Sequence, residues 1–202
     1  MLIRYSFGGG DVPDLFFATM ERLTPALRRG DLEACELEIA KEIRAMPVTP
    51  FHVVLDLSIS NDPADAAAHF DRFFREESAR IPIAAAYTEM NGFDINPDRW
   101  YCDLFAYTAD GGHDDHDWIS DWQSEQFDDF TINGLERLQD VYASKAFREK
   151  ANRDASYMSS LMVVVKFQRF MQRAAAQMKQ LKFPLYVTAH DFDFIAAVRP
   201  NE

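Results

Sequence analysis

Apolar residues recur at every third or fourth position through the first third of the chain. Phe16, Met20, Leu23 and Leu27 follow Pro13 and Asp14 and are stopped by Gly30. This is the stripe of a helix that buries one face. Asp31 is a suitable N-cap for a second helix, on which Leu32, Cys35, Ile39, Ile43 and Met46 keep the spacing, so the two predict a helical hairpin. Asn61, Asp62 and Pro63 place a cap before a proline at the first helical position, and Ala66, Phe70, Phe73 and Phe74 form the buried face of the helix they open.

Elsewhere the period shortens to two. Trp100, Cys102, Leu104 and Ala106 alternate with Tyr101, Asp103, Phe105 and Tyr107, which predicts a strand over 100–108. PIAAAYTEM at 82–90 reads as its partner, with NGFDINPD as the hairpin connection. FHVVLDLSI at 51–59 is apolar on both faces and is expected as a strand inside the sheet. LIRYSF at 2–7, punctuated by Gly8, Gly9 and Gly10, reads as a short strand, as does FDDFTI at 127–132. Asn133 is then expected to cap a helix bearing Leu135, Leu138 and Tyr142. The longest helix is expected over 155–181, with Tyr157, Leu161, Val164, Met171, Ala175 and Met178 inward and Lys166, Arg169 and Arg173 outward. Pro184 stops it, and LYVTAH and FDFIAAV close the fold as strands around a turn at His190 and Asp191.

About five helices and five to seven strands in irregular order favour an α+β fold: a single globular domain over 1–202 with a mixed or antiparallel sheet. The composition agrees, since 202 residues with 48% hydrophobic content and 17 Phe can build one sizeable core. Cys35 and Cys102 are too few to staple such a chain and are expected as reduced core residues. The N-terminus lacks a signal-peptide pattern and no apolar run approaches a membrane span. The expected setting is therefore cytoplasmic, with no membrane association.

Charge changes the picture more than composition does. The chain holds 33 Asp+Glu against 21 Lys+Arg, a formal charge of −12, which argues against nucleic acid as a partner. Residues 91–130 carry eleven acids against Arg99 alone, whereas residues 145–182 carry nine Lys/Arg against Glu149 and Asp154. Either the basic helix neutralises the acidic segment within one chain, or the segment faces outward and recruits a cationic partner. The same segment holds all three tryptophans, Trp100, Trp118 and Trp122. Large aromatics among polar residues are what interface centres are built from.

The densest set of ligand-type side chains is DGGHDDHDW at 110–118. There His113 and His116 lie among Asp110, Asp114, Asp115 and Asp117. Imidazole and carboxylate donors suit a divalent metal, with His113, His116 and Asp117 as the candidate ligands and His190, Asp191 or Asp193 as a source of a further one. The glycines before the histidines favour a loop over the helix that would align them, and the zinc-protease glutamate is missing. No GxGxxG, GK[ST] or GxSxG pattern occurs, so neither a nucleotide loop nor a nucleophile elbow is indicated, and no cofactor is predicted.

The favoured expectation is a non-catalytic acidic binding protein of the inhibitor or immunity-protein type. It would meet a basic protein partner through Asp114, Asp115, Asp117, Trp118, Asp121 and Trp122. The alternative is a metal-dependent hydrolase with its His/Asp site around 110–117. A homo-oligomer in which basic helix meets acidic segment is the third.

Overall fold

The computed structural model describes residues 12–114 and 116–199. The strand expected at 2–7, Gly8 to Gly10 and Asp115 lie outside the described residues. The chain forms α1 (Asp14–Arg28), α2 (Leu32–Ala45), α3 (Pro63–Ser78), β1 (Ala85–Asn91), β2 (Tyr101–Tyr107), β3 (Phe130–Thr131), α4 (Glu136–Ala143), α5 (Arg153–Ala175), β4 (Leu185–Ala189) and β5 (Ala196–Val198). The strand order is β3-β2-β1-β4-β5, with β1 and β4 parallel and the other neighbours antiparallel. The fold is α+β with a mixed sheet.

Local signals explain α2 and α3. Asp31 caps α2 by accepting from the Ala34 amide at 3.3 Å, and Asp62 caps α3 by accepting from the Ala64 amide at 2.9 Å. Phe70, Phe73 and Phe74 are buried as the period required.

Three expectations are corrected. FHVVLDLSI is not a strand: Pro50–Asp56 is a 3-10 helix. Pro50 fixes its first turn and the Thr49 amide donates to His52 Nδ1 at 3.1 Å, while Phe51 and Val54, three apart, supply the buried edge that such a helix needs. The helix after Asn133 starts later, with Leu135 as its N-cap. Gly134 there has φ +96°, and a Cβ would lie 2.2 Å from the Ser58 carbonyl, so only glycine lets the two chains approach this closely.

The third correction concerns α5, which ends at Ala175 and whose basic side is solvated only at its end, where Arg173 is exposed. It is buried nearly all round, from Ala155 to Ala175, because α2, α3 and the Pro50–Asp56 turn pack on it as well as the sheet. Lys166 is only 10% exposed and donates to Glu36 of α2 at 3.0 Å, and Arg169 bonds the other oxygen of the same carboxylate. Burial works against ionisation of Glu36, but the bonds from Arg169 and Lys166 outweigh it and hold the carboxyl below its usual range. Gln168 reaches from the same helix to the sheet, donating to the Val187 carbonyl at 3.0 Å and the Phe194 carbonyl at 2.6 Å.

The helices therefore cover one face of the sheet, where Ala86, Met90, Cys102, Leu104, Ala106, Leu185, Val187 and Ala189 join the main core. The other face has its own small cluster of Ala85, Tyr87, Tyr107, Tyr186 and Ile195, against which Phe105, Trp118, Ile119 and Ala197 pack. Among the described residues no helix is long and apolar enough to cross a membrane.

Candidate functional site: the second face of the sheet

The face without helices is divided in two by the acidic loop. After β2 the chain turns back over one half, and Trp118 is wedged between Tyr107 and Tyr186, with ring centroids at 4.6 and 5.2 Å and edge-on geometry. The indole N–H donates to the Gly112 carbonyl at 3.1 Å, Tyr107 donates to the Ile119 carbonyl at 2.8 Å, and Tyr186 donates to Asp110 at 2.8 Å. A Cβ at Gly111 would lie 2.2 Å from the Trp118 ring, so the loop can pass over the indole only as bare backbone. Trp118 is an anchor, half-buried and committed to the fold.

The other half is open. Trp122 leans on Phe105, centroids 5.1 Å apart, and is 51% exposed. Phe105 meets Tyr87 at 5.9 Å, and the Tyr87 hydroxyl donates to Glu89 at 2.9 Å. The other Glu89 oxygen accepts from His190 Nδ1 at 3.0 Å. In the register of β1 and β2, Glu89 stands directly opposite Asp103, which accepts from Asn91 Nδ2 at 2.7 Å. Two carboxylates face each other across a strand pair, an arrangement that disfavours the sheet.

The ionisation equilibria record that crowding. Burial first, then Glu89 and Asp129, push the Asp103 carboxyl above its ordinary range, although Arg99 pulls it back. Arg99 is itself engaged by a two-pronged bond to Asp129 and lies 4.5 Å over the Tyr101 ring. At His190 burial disfavours the charged ring, but the hydrogen bond and charge of Glu89 prevail and raise its pKa. Burial and the neighbouring Glu89 carboxylate push the Tyr87 hydroxyl far above the usual tyrosine range, so Tyr87 stays a neutral donor.

The residues expected from sequence are dispersed by this geometry. Trp100 is wholly buried against Phe93 and Tyr142. His113 Nε2 donates to the Ile195 carbonyl at 2.8 Å, and His116 Nε2 donates to the His113 carbonyl at 3.1 Å. Both rings are thus turned to backbone, their centroids 5.9 Å apart, and among the described residues no group of three His, Cys, Asp or Glu side chains is disposed to hold a metal ion. Asp114 points away from the open half and accepts from Arg28 of α1 at 2.9 Å. Asp117 is exposed at the start of a short 3-10 turn, Asp117–Ser120, and Asp121 is exposed beside Trp122. His190, considered in sequence as a metal ligand, is the partner of Glu89 instead.

Among the described residues the ion pairs shown for the acidic segment are made with elements other than α5. They run from Asp114 to Arg28, from Asp128 to Arg72, from Glu125 to Arg80 and from Asp129 to Arg99, on α1, α3, the turn after α3 and the turn before β2. Glu89 and Asp103 were missed in the sequence. The alternation of Tyr87, Glu89 and Asn91 puts them on one face, but only the strand register shows that Glu89 meets Asp103. No protein-family model, curated protein or solved structure matches this chain, so the site is read from its own chemistry.

Proposed function

We propose that this protein is a non-catalytic binding protein that meets a basic protein partner on the open half of the second sheet face. The observation that supports this most is the juxtaposition of an exposed indole, Trp122, with a like-charged pair of carboxylates, Glu89 and Asp103, through one continuous row of ring contacts. An opposed carboxylate pair lowers stability in the free protein, and a lysine or arginine of a partner inserted between them would relieve the repulsion. Trp122 and Phe105 would supply the apolar area that such a contact needs at its centre. Asp121 and Asp117 belong to the rim, where they would steer the approach of a cation more than they would hold it.

The test is affinity capture from a native extract followed by titration of the recovered partner. A W122A/D103N variant with an intact fold is expected to weaken binding at least tenfold, and wild-type binding is expected to weaken as salt rises from low to about 0.5 M. A partner that binds both proteins equally, at any salt, contradicts the proposal.

A further inference from the structure

At the far side of the acidic loop lies a cleft of about 570 Å³ that shares no residue with the Trp122 face. Four separate parts of the chain build it: the end of α1 with Arg28, Arg29 and Gly30, the loop with His113 and Asp114, Gln172 near the end of α5, and Arg199 after β5. Three arginines converge there against the single Asp114, a local formal charge of +2 in a chain whose total is −12. We propose that this cleft binds a small soluble polyanion bearing phosphate or carboxylate groups.

The arginines are not consumed by the fold. Arg28 pairs with Asp114, but the two side chains are 54% and 86% exposed, so water competes for that contact and a ligand can displace it at little cost. Arg29 and Arg199 make no ion pair among the described residues. Arginines near a helix C-terminus also complement the helix dipole, which accounts for Arg28 and Arg29 on α1. It does not account for Arg199, which arrives from a strand.

The end of α1 is closed internally, since the Arg29 amide donates to the Ala26 carbonyl, that of Gly30 to Leu27, and Gln172 donates to the Gly30 carbonyl at 3.2 Å. An incoming anion would therefore meet guanidinium groups rather than orphaned carbonyls. The volume falls in the range of small-molecule sites, and planar guanidinium forks suit oxyanions with two or more oxygens. Among the described residues, none of the large exposed hydrophobic side chains (Phe17, Leu37, Val48, Ile95 and Trp122) lines the recess, which favours a free anion over a lipid headgroup.

The experiment is a two-dimensional amide NMR titration of the full chain with sodium pyrophosphate, and separately with citrate, against sodium chloride at matched ionic strength. Saturable shifts centred on Gly30, His113, Gln172 and Arg199 are expected with at least one of the two polyanions, and R29Q/R199Q is expected to bind at least tenfold more weakly. The wild-type shift pattern decides the location even if that variant does not fold. Shifts that rise linearly, match those from chloride, or centre on the Lys166 to Arg173 stretch overturn the proposal. Co-sedimentation of the protein with phosphatidylcholine vesicles containing phosphatidic acid, lost in R29Q/R199Q, overturns the assignment to a soluble ligand.

Discussion

Trp118 and Trp122 sit four residues apart on one acidic loop, over one face of one sheet, yet they do opposite work. Trp118 finds two tyrosines, Tyr107 and Tyr186, and a glycine at 111 that lets the backbone cross it, and so it closes its half of the face. Trp122 leans on Phe105, and beyond Phe105 lie carboxylates. Residue type and local charge are the same in both. What differs is the row of the sheet on which each ring lands: an apolar row makes an anchor, and a row running into Glu89 and Asp103 leaves the indole at the surface. The first half contributes to stability, and the second carries the proposed contact.

The contrast can be broken by substitution. The largest effect is expected for Trp118→Ala, which empties the wedge between two tyrosines and should cost about 2–4 kcal/mol in chemical denaturation. Gly111→Ala attacks the same anchor from the backbone side and should cost about 1–3 kcal/mol, since its new methyl overlaps the indole and the loop must lift. Trp122→Ala should change stability by no more than about 0.5 kcal/mol while removing partner binding. An equal loss of stability in Trp118→Ala and Trp122→Ala would erase the distinction.

Smaller effects sharpen the chemistry of the open half. Asp103→Asn removes one of two opposed carboxylates and should raise stability by about 0.2–1 kcal/mol at pH 8. The native carboxyl has a raised pKa, so the folded protein holds this proton more tightly than the unfolded chain does, and stability falls as pH rises through the window above the unfolded value near ~3.9. The gain from asparagine should therefore shrink as pH drops through that window.

His190 responds to pH in the same direction, but there the charged form is the favourable one. Its raised pKa means that the Glu89 contact is fully stabilising below the ordinary histidine value of ~6.5, and that this contribution is lost as pH rises through the folded value. An NMR titration of the His190 ring should show the elevated midpoint, and Glu89→Gln should lower it, since only the weaker pull of Asp191 and Asp103 then opposes burial.

Much of the framework was legible in the chain because its signals are local. Asp31, Asp62 and Pro63 fix helix starts within a few residues, and the alternation from Trp100 to Tyr107 fixes which side chains share a face of β2. FHVVLDLSI misled because apolar residues on every side fit a buried strand and a packed 3-10 turn equally well, and Thr49 with Pro50 decided for the turn. In α5 the spaced cations looked like a solvated face, although Lys166 and Arg169 serve Glu36 on a neighbouring helix 130 residues away in sequence. The acidic, Trp-rich loop was visible as a composition. Its division into an anchored and an open half was not, because that depends on which strand rows lie beneath, and no local pattern encodes the pairing of Glu89 with Asp103.

The central claim is that contact with the protein partner resides in the open half alone. Its most direct measurement is the affinity of the captured partner, by calorimetry at low salt, for two single variants side by side, Trp122→Ala and Asp114→Asn, the latter on the loop but turned toward Arg28. The expected result is a loss of at least tenfold for Trp122→Ala and an affinity within about twofold of wild type for Asp114→Asn. Undiminished binding by Trp122→Ala, or an equal loss in both, would contradict it.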